Sequence, residues 1–597
     1  MERHDIPVNE TWDLTLIYKN NEEFFEDEKR AHSLLSSLRE RKECFTKSKE
    51  DFHTFYEDYI SLSRLVSKMY EYAHLHTDVE PENQDYQLLL SHVLTLFDQF
   101  ENNLDFMNVE IIKHKEDIEN YLEDKSFDLY RYQIKQILRE EKHMLTQEME
   151  TLLSKMSPIS NTGEQIFEAL RLEYEDVIID GEKKTLNSAT LNEFLKHPSQ
   201  EVRKQAYEKF YKEYKRYENV FALTLADCMK KDAFYADVRH FDDPLEYSLW
   251  DDDVPRELFY KILDKANKDY RPLFHRYNKL KKDLLNVETL YNYDLFTPLV
   301  KPSVKRYSID DCFRIILEVT SVFGEEYTDI IKKAREERWI DYHPTKGKAT
   351  GAYSAGCYDT KPYILTNFIG DYDSLSTLIH ELGHSCHTYL SCKYQDPANS
   401  DYRIFVAEVA STVNETLLIN YMIDHAKNDQ EKAYFLYEFL ENCVGLIFRQ
   451  PMYAQFEDTL HQWAKDHIPM NASKITTLYD KINKEYYGED VENDQYVGHS
   501  CFYIPHFYYN YYVYKYTLGM TVALAIVSRI LHHDAHQVEQ YLSFLKSGGS
   551  MSPIDLLKKA GVDPLDDQIY DDAFHYFEHL LDMFEEIMKR GEKDVKK

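Results

Sequence analysis

The residues His380, Glu381 and His384, in the order His-Glu-x-x-His, carry the most specific chemistry in this 597-residue chain. If the stretch from Ser374 to Ser385 is helical, the two histidines lie on one face a turn apart and can aim imidazole nitrogens at one metal ion. Glu381 then projects about 100° away, toward a water on that ion. A hydrolytic zinc site needs a third protein ligand and keeps a fourth position open. Glu408, 24 residues after His384 in a stretch with helical apolar spacing (Arg403 to Glu415), is the candidate. The spacing leaves room for the first helix to end, for the loop Gln395 to Ser400 to reverse the chain, and for a second helix to return beside it. Gly383 on one helix and Ala407, Ala410 and Ser411 on the other allow the close approach that a shared ion demands. His387 shares the face of His380, but seven residues of helix rise about 10.5 Å, too far for one ion, so it is outer-shell or simply packed. The residue six places after His384, where some zinc peptidases carry a third histidine, is Leu390. Glu415, one heptad beyond Glu408, is placed either to accept a hydrogen bond from a ligand histidine or to face solvent.

The elements around this motif read as mainly helical. Residues 1–110 contain no glycine, with prolines only at Pro7 and Pro81, and repeat apolar residues at three- and four-residue spacing. An amphipathic run spans Leu129 to Ser154, and Ser157 to Gly163 has loop chemistry. The alternation of Leu172 to Glu182, turning at Asp180-Gly181, predicts a small hairpin. Helices resume from Pro198 to Asp253 and again after Pro255. Between Trp339 and Phe368, glycines break up a β-rich stretch, predicting one or two strands just before the metal helix and, if one is an edge, a place for an extended peptide to add. Seven tyrosines fall between Tyr503 and Tyr516. Most are expected to pack in an aromatic helix, while their hydroxyls and His506 offer hydrogen-bond donors for a developing oxyanion.

Composition excludes other classes. Asp plus Glu number 106 against 71 Lys plus Arg, a formal charge of −35 with no basic stripe, so nucleic acid is not an expected partner. The charged start, Met1 to Pro7, lacks a signal peptide's apolar run, and the longest apolar stretch near the C-terminus, Met520 to Val527, falls far short of the roughly 20 residues that span a bilayer. No membrane partner is expected. Eight scattered cysteines read as reduced thiols, pointing to a cytoplasmic protein.

Several segments in order resemble oligoendopeptidase F, within the thimet-oligopeptidase-like zinc metallopeptidases. They are Pro7 to Leu14, Gly351 to Ser354, the metal helix, Ala407 to Thr412, Ile504 to Tyr509 and Ser547 to Ser550. The resemblance implies a mainly α, two-lobed helical zincin with a small β-sheet beside the metal helix and a deep substrate channel. It implies three regions: an N-terminal helical region (1–110), an oligoendopeptidase F N-terminal-type domain (111–195) and a zinc metallopeptidase catalytic domain (196–597). By carry-over, His380, His384 and Glu408 hold one Zn2+ per chain and Glu381 is the general base. His506 with Tyr511 or Tyr514 would be the carbonyl-side donors. The family's glycine-rich loop after the histidine is missing here, where His506 runs into Phe507-Tyr508, and Tyr508 therefore stays a candidate.

The implied activity is zinc-dependent endoproteolysis of short unfolded oligopeptides, by Glu-assisted attack of a zinc-bound water. Two alternatives are a zinc carboxypeptidase on a related helical scaffold and a peptide-binding protein without catalysis. The sequence leaves side-chain preference and oligomeric state open.

Overall fold

The glycine-free start of the chain forms long helices, as its apolar spacing predicts: α1 (Asn21–Glu40), α2 (Lys49–Val79) and α3 (Gln84–Leu104). Each begins at a side-chain cap, from Asn20, Ser48 and Asn83, whose oxygens accept backbone N–H groups the first turn leaves unpaired. These elements come from a computed structural model, which describes residues 2–595 and is mainly α-helical with small sheets. The chain divides into two compact units, one built from 1–142, 304–421 and 526–563, the other from 143–303, 422–525 and 564–597.

In the first unit, α2 buries Phe52, Phe55, Leu62, Val66, Met69 and Ala73 on its inner face. A second stripe at helical spacing, with Arg64, Glu71, His74 and Asp78, borders the segment after residue 349. Arg64 holds Asp359 with two hydrogen bonds of 2.9 and 2.6 Å, and Asp78 accepts the Tyr353 hydroxyl and, through its carbonyl, the Ala349 N–H. That segment is a three-stranded sheet of β1 (Ile340–Asp341), β2 (Tyr353–Ala355) and β3 (Tyr363–Leu365), in the order β1-β3-β2. β1 runs parallel to β3 and β2 antiparallel to it, in the register Tyr353↔Leu365, Ser354↔Ile364, Ala355↔Tyr363. β3 is wholly buried and β2 is an edge.

Helix α4 (Tyr372–Tyr394) follows, started by Asp371, which accepts the Ser374 N–H. Its apolar stripe, Leu375, Leu378, Ile379, Leu382, Cys386 and Leu390, is buried. After a short 3-10 turn (Pro397–Asn399), α5 (Ile404–Asp424) packs beside it. Gly383 is required here, because a Cβ at that position would stand 2.8 Å from Ser411 Cα and 2.9 Å from the Ala410 carbonyl. The turn between the helices is clamped by Gly548 and Gly549: the Gly549 N–H donates to the Asn399 carbonyl, and a Cβ on Gly549 would lie 2.2 Å from the Asp401 carbonyl.

The second unit contains the expected hairpin, Val177–Ile179 with Glu182–Lys184, turning on two left-handed residues, Asp180 and Gly181. Two expectations fail there. Ser157 to Gly163 is not a loop: one helix runs Gln147–Ser160 with Pro158 inside it, and the next starts at Thr162. Gly163 serves close packing instead, since its Cβ would meet the Thr224 carbonyl at 3.1 Å. Nor is the tyrosine run one helix. Val497–Tyr503 and Pro505–Tyr508 are 3-10 turns, and a regular helix begins only at Tyr514. Asn510 and Tyr511 between them have φ of +40° and +56°. No helix among the described residues is long and apolar enough to cross a membrane.

Candidate metal centre

Helix α4 presents His380 and His384 one turn apart, and α5 brings Glu408 to both. The two Nε2 atoms stand 3.2 Å from each other and 3.5 and 3.6 Å from Glu408 Oε2. Ligands at about 2.0–2.1 Å from one tetrahedral zinc are about 3.4 Å apart, so this triangle fits the ion. Among the described residues it is the group of His, Cys, Asp and Glu that converges in this way.

Neighbouring groups fix the orientation of these candidate ligands. The His380 Nδ1 lies 3.2 Å from Glu415 Oε2, which leaves Nε2 for the ion. Ser376 donates to Glu415 Oε1 at 3.3 Å, and Ser411 donates to Glu408 Oε2 at 2.9 Å. His387 is buried, stacks on Tyr402 at 3.7 Å and is no ligand.

The electrostatics also call for a cation. Burial opposes charge on His380, yet its hydrogen bond to Glu415 and the nearby carboxylates hold its pKa up at about 9. Burial likewise opposes charge on Glu408, but the hydrogen bond and charge of His384 and the charge of His380 pull it down to about 2. The proton on His380 stands where positive charge is wanted, and an ion entering the site must displace it. Glu381, 6% exposed, is raised by burial.

Glu381 opens with the three ligands onto a cavity of about 680 Å³ within the first unit. Its walls are the β2 segment from Ala352 to Tyr358, the α2 stripe with Arg64, Tyr70 and Glu71, and Asp401 with Tyr402.

A model described as Peptidase family M3 matches residues 194–576, well over half of the chain. The chain belongs to peptidase family M3. This is a metallopeptidase family, and a second model, described as Oligopeptidase F, matches residues 113–173. Oligopeptidase PepF of Bacillus subtilis is 35% identical over 99% of this chain and 89% of its own length. Among solved structures, a putative peptidase from Chlamydophila abortus has a TM-score of 0.92 at 28% identity, covering 98% of this chain and 99% of the other. Oligoendopeptidase-F from Enterococcus faecium has 0.72 at 30% identity, covering 96% and 99%.

The remaining sequence candidates of this M3 chain belong to the second unit. His506 is half-buried, with ring neighbours Tyr509 and Tyr516. The hydroxyls of the three candidate tyrosines have partners inside that unit: Tyr508 with Thr224 Oγ1 at 2.8 Å, Tyr511 with Asp458 at 2.9 Å and Tyr514 with Asp252 at 3.3 Å. Glu457, fully buried, accepts the Tyr511 N–H through Oε1, which pins the left-handed backbone there, while Oε2 has no hydrogen-bond partner.

Burial pushes Glu457 up to about 7, opposed by His461, whose Nε2 lies 3.1 Å from Asp232. A carboxyl with a raised folded-state pKa loses stability as pH climbs from the unfolded value of 4.5 to about 7, here by about 3 kcal/mol in full. Glu457→Gln keeps the acceptor for Tyr511 and removes the ionisation. It is therefore expected to raise the melting temperature at pH 8 and leave it nearly unchanged at pH 4.5, read by thermal scans across that range. Equal shifts at both ends would place the charge burden elsewhere.

Sequence reading of the M3 site missed Ser411 as an orienter of Glu408, and it missed the whole α2 wall. Ser411 is three residues after Glu408, a spacing that puts its hydroxyl within reach on a helix; the α2 wall has no such local signal.

Proposed function

We propose that this M3 peptidase is a zinc-dependent endopeptidase, with one ion per chain, that hydrolyses internal bonds of short, unfolded oligopeptides. The triangle of His380, His384 and Glu408 at zinc-ligand spacing carries the reading. Zinc bound there supplies Lewis acidity, lowering the pKa of a water from 15.7 toward about 7 and polarising a peptide carbonyl. Glu381 takes the proton from the attacking water and returns it to the leaving amine. Burial raises the pKa of this carboxyl, which suits it to hold the proton between the two transfers.

The outer edge of β2 has no strand partner among the described residues and lines the cavity through Tyr353 and Ser354. An extended substrate can add there through its backbone, which makes binding largely independent of sequence. His506 and one of Tyr508, Tyr511 and Tyr514 are assigned as donors to the developing oxyanion. A tyrosine that serves there must first exchange the hydroxyl partner it has now. The partition at 110 and 195 is retained as the functional domain division, and a cytoplasmic setting fits the eight free cysteines. The names of the Bacillus and Enterococcus relatives, oligopeptidase and oligoendopeptidase, support the substrate class.

The deciding experiment incubates purified protein with peptides of graded length and with a folded protein, each with and without a chelator, and reads the products by mass spectrometry. Internal cuts in short peptides alone, lost on chelation and restored by zinc, are expected. Loss of single C-terminal residues would favour a carboxypeptidase, and cleavage indifferent to chelation would remove the metal from the mechanism.

A further inference from the structure

The cavity holds two carboxyl groups that the proposed chemistry does not use. Glu71 reaches it from α2 and Asp401 from the turn before α5. Among the described residues the Glu71 carboxyl has no hydrogen bond: Oε2 is fully enclosed without a partner, and the His74 imidazole stands beside it with Nε2 at 3.7 Å. Burial pushes the His74 imidazole below its usual pKa near 6.5, so at neutral pH it brings no positive charge. Asp401 has one oxygen on the Tyr402 N–H. Burial first, and then the charge of Asp401, push Glu71 up to about 7.

The other charges on the cavity wall balance without these two. Arg64, the only lysine or arginine lining the cavity among the described residues, is already held by both oxygens of Asp359. A divalent ion on the triad offsets Glu408 and Glu381. Among the described residues, Glu71 and the exposed Asp401 are left facing one space with no unpaired lysine or arginine, an arrangement that the enclosed side of the Glu71 carboxylate tolerates poorly unless a partner arrives. The Tyr70 and Tyr358 rings line the same space, but Arg64 already lies over Tyr358, 4.8 Å from its centroid, and His74 stacks on Tyr70 at 4.9 Å, so the two carboxyls are the cation-seeking groups there. Glu71 also sits one turn before His74, which stacks over Tyr353 of the edge strand at 5.9 Å. A side chain or terminus of a peptide lying along β2 would therefore pass close to it.

We propose that Glu71, with Asp401 beside it, forms a cation-accepting subsite that binds a protonated amine or guanidinium of the peptide. The group is either the peptide's α-ammonium or a lysine or arginine side chain. This deepens the endopeptidase reading and rests on it for the identity of the ligand as a peptide. Glu71 acts in specificity and takes no part in proton transfer.

The test measures binding apart from cleavage. Zinc-loaded Glu381→Gln protein, with and without Glu71→Gln, is titrated by fluorescence anisotropy with labelled nonapeptides of otherwise neutral residues. In one set a lysine is walked through the positions and compared with norleucine, and in the other the N-terminus is free or acetylated. One charged group, at one position, is expected to tighten binding about tenfold, the size of a charge-assisted hydrogen bond. Glu71→Gln, which keeps the shape of the side chain, should erase that gain while leaving the neutral peptides within about twofold. Preference for lysine over norleucine identifies a side-chain site, and sensitivity to acetylation alone identifies the α-ammonium. No preference at any position, absence of binding included, overturns the proposal, as does a preference that survives Glu71→Gln. If the parent protein cuts none of these peptides while the Glu71-dependent preference is seen, the peptidase reading fails and the subsite stands.

Discussion

Glu381→Gln is expected to retain about one zinc per chain and to lose turnover by about 10²–10⁴-fold, the contribution of a positioned general base. Glutamine matches the glutamate in shape and leaves the triad untouched, so elemental analysis should not distinguish variant from parent. Glutamine lacks a basic oxygen able to take a proton, so the attacking water must ionise unaided and the leaving amine depart without a proton from this side chain. The loss should fall on kcat, with peptide affinity nearly unchanged, because the carboxyl acts in the transition state and makes no ground-state contact the substrate requires. Turnover within a few-fold of the parent would show that another group moves the proton.

Glu408→Ala should release the metal. It removes one of the three proposed ligands and a carboxylate that the neighbouring imidazoles hold at a low pKa. His380 and His384 alone do not make a closed set, and the variant should lose zinc on dialysis and with it all metal-dependent cleavage. The contrast with Glu415→Ala is diagnostic. Glu415 touches His380 through Nδ1, so its removal should weaken zinc binding by about 10–100-fold, the usual effect of losing an outer partner, and activity should return at raised zinc. Equal zinc affinity in Glu408→Ala and the parent would mean that the third ligand is another residue.

These roles are legible in the sequence because they depend on short-range regularities. A four-residue spacing on a helix puts His380 and His384 on one face whatever surrounds them. The span to Glu408 permits little besides helix, turn and returning helix, and Gly383 opposite Ala410 and Ser411 marks where the pair touches. Glu415 follows from the same periodicity. The hairpin at Asp180-Gly181 is equally local, since two left-handed residues dictate that turn.

Where sequence and structure part, distant groups set the local conformation. The tyrosine run has the apolar content of a helix, but Glu457 captures the Tyr511 N–H and Asp458 its hydroxyl, and the backbone there goes left-handed. Gly163 has the surroundings of a turn residue and is a packing residue against a helix some sixty positions later.

The sequence by itself determined the mainly helical class and singled out His380, His384 and Glu408 as the proposed ligands and Glu381 as the proposed base, because each follows from periodicity within one helix or one helical pair. Only the tertiary structure decided what else lines the cavity onto which the proposed ligands open. Glu71 and Asp401 are 330 residues apart in the chain, and they line one cavity because α2 packs on the β2 segment and the glycines near residue 548 clamp the turn before α5. Such a meeting depends on the summed packing of many elements and leaves no pattern in either stretch alone.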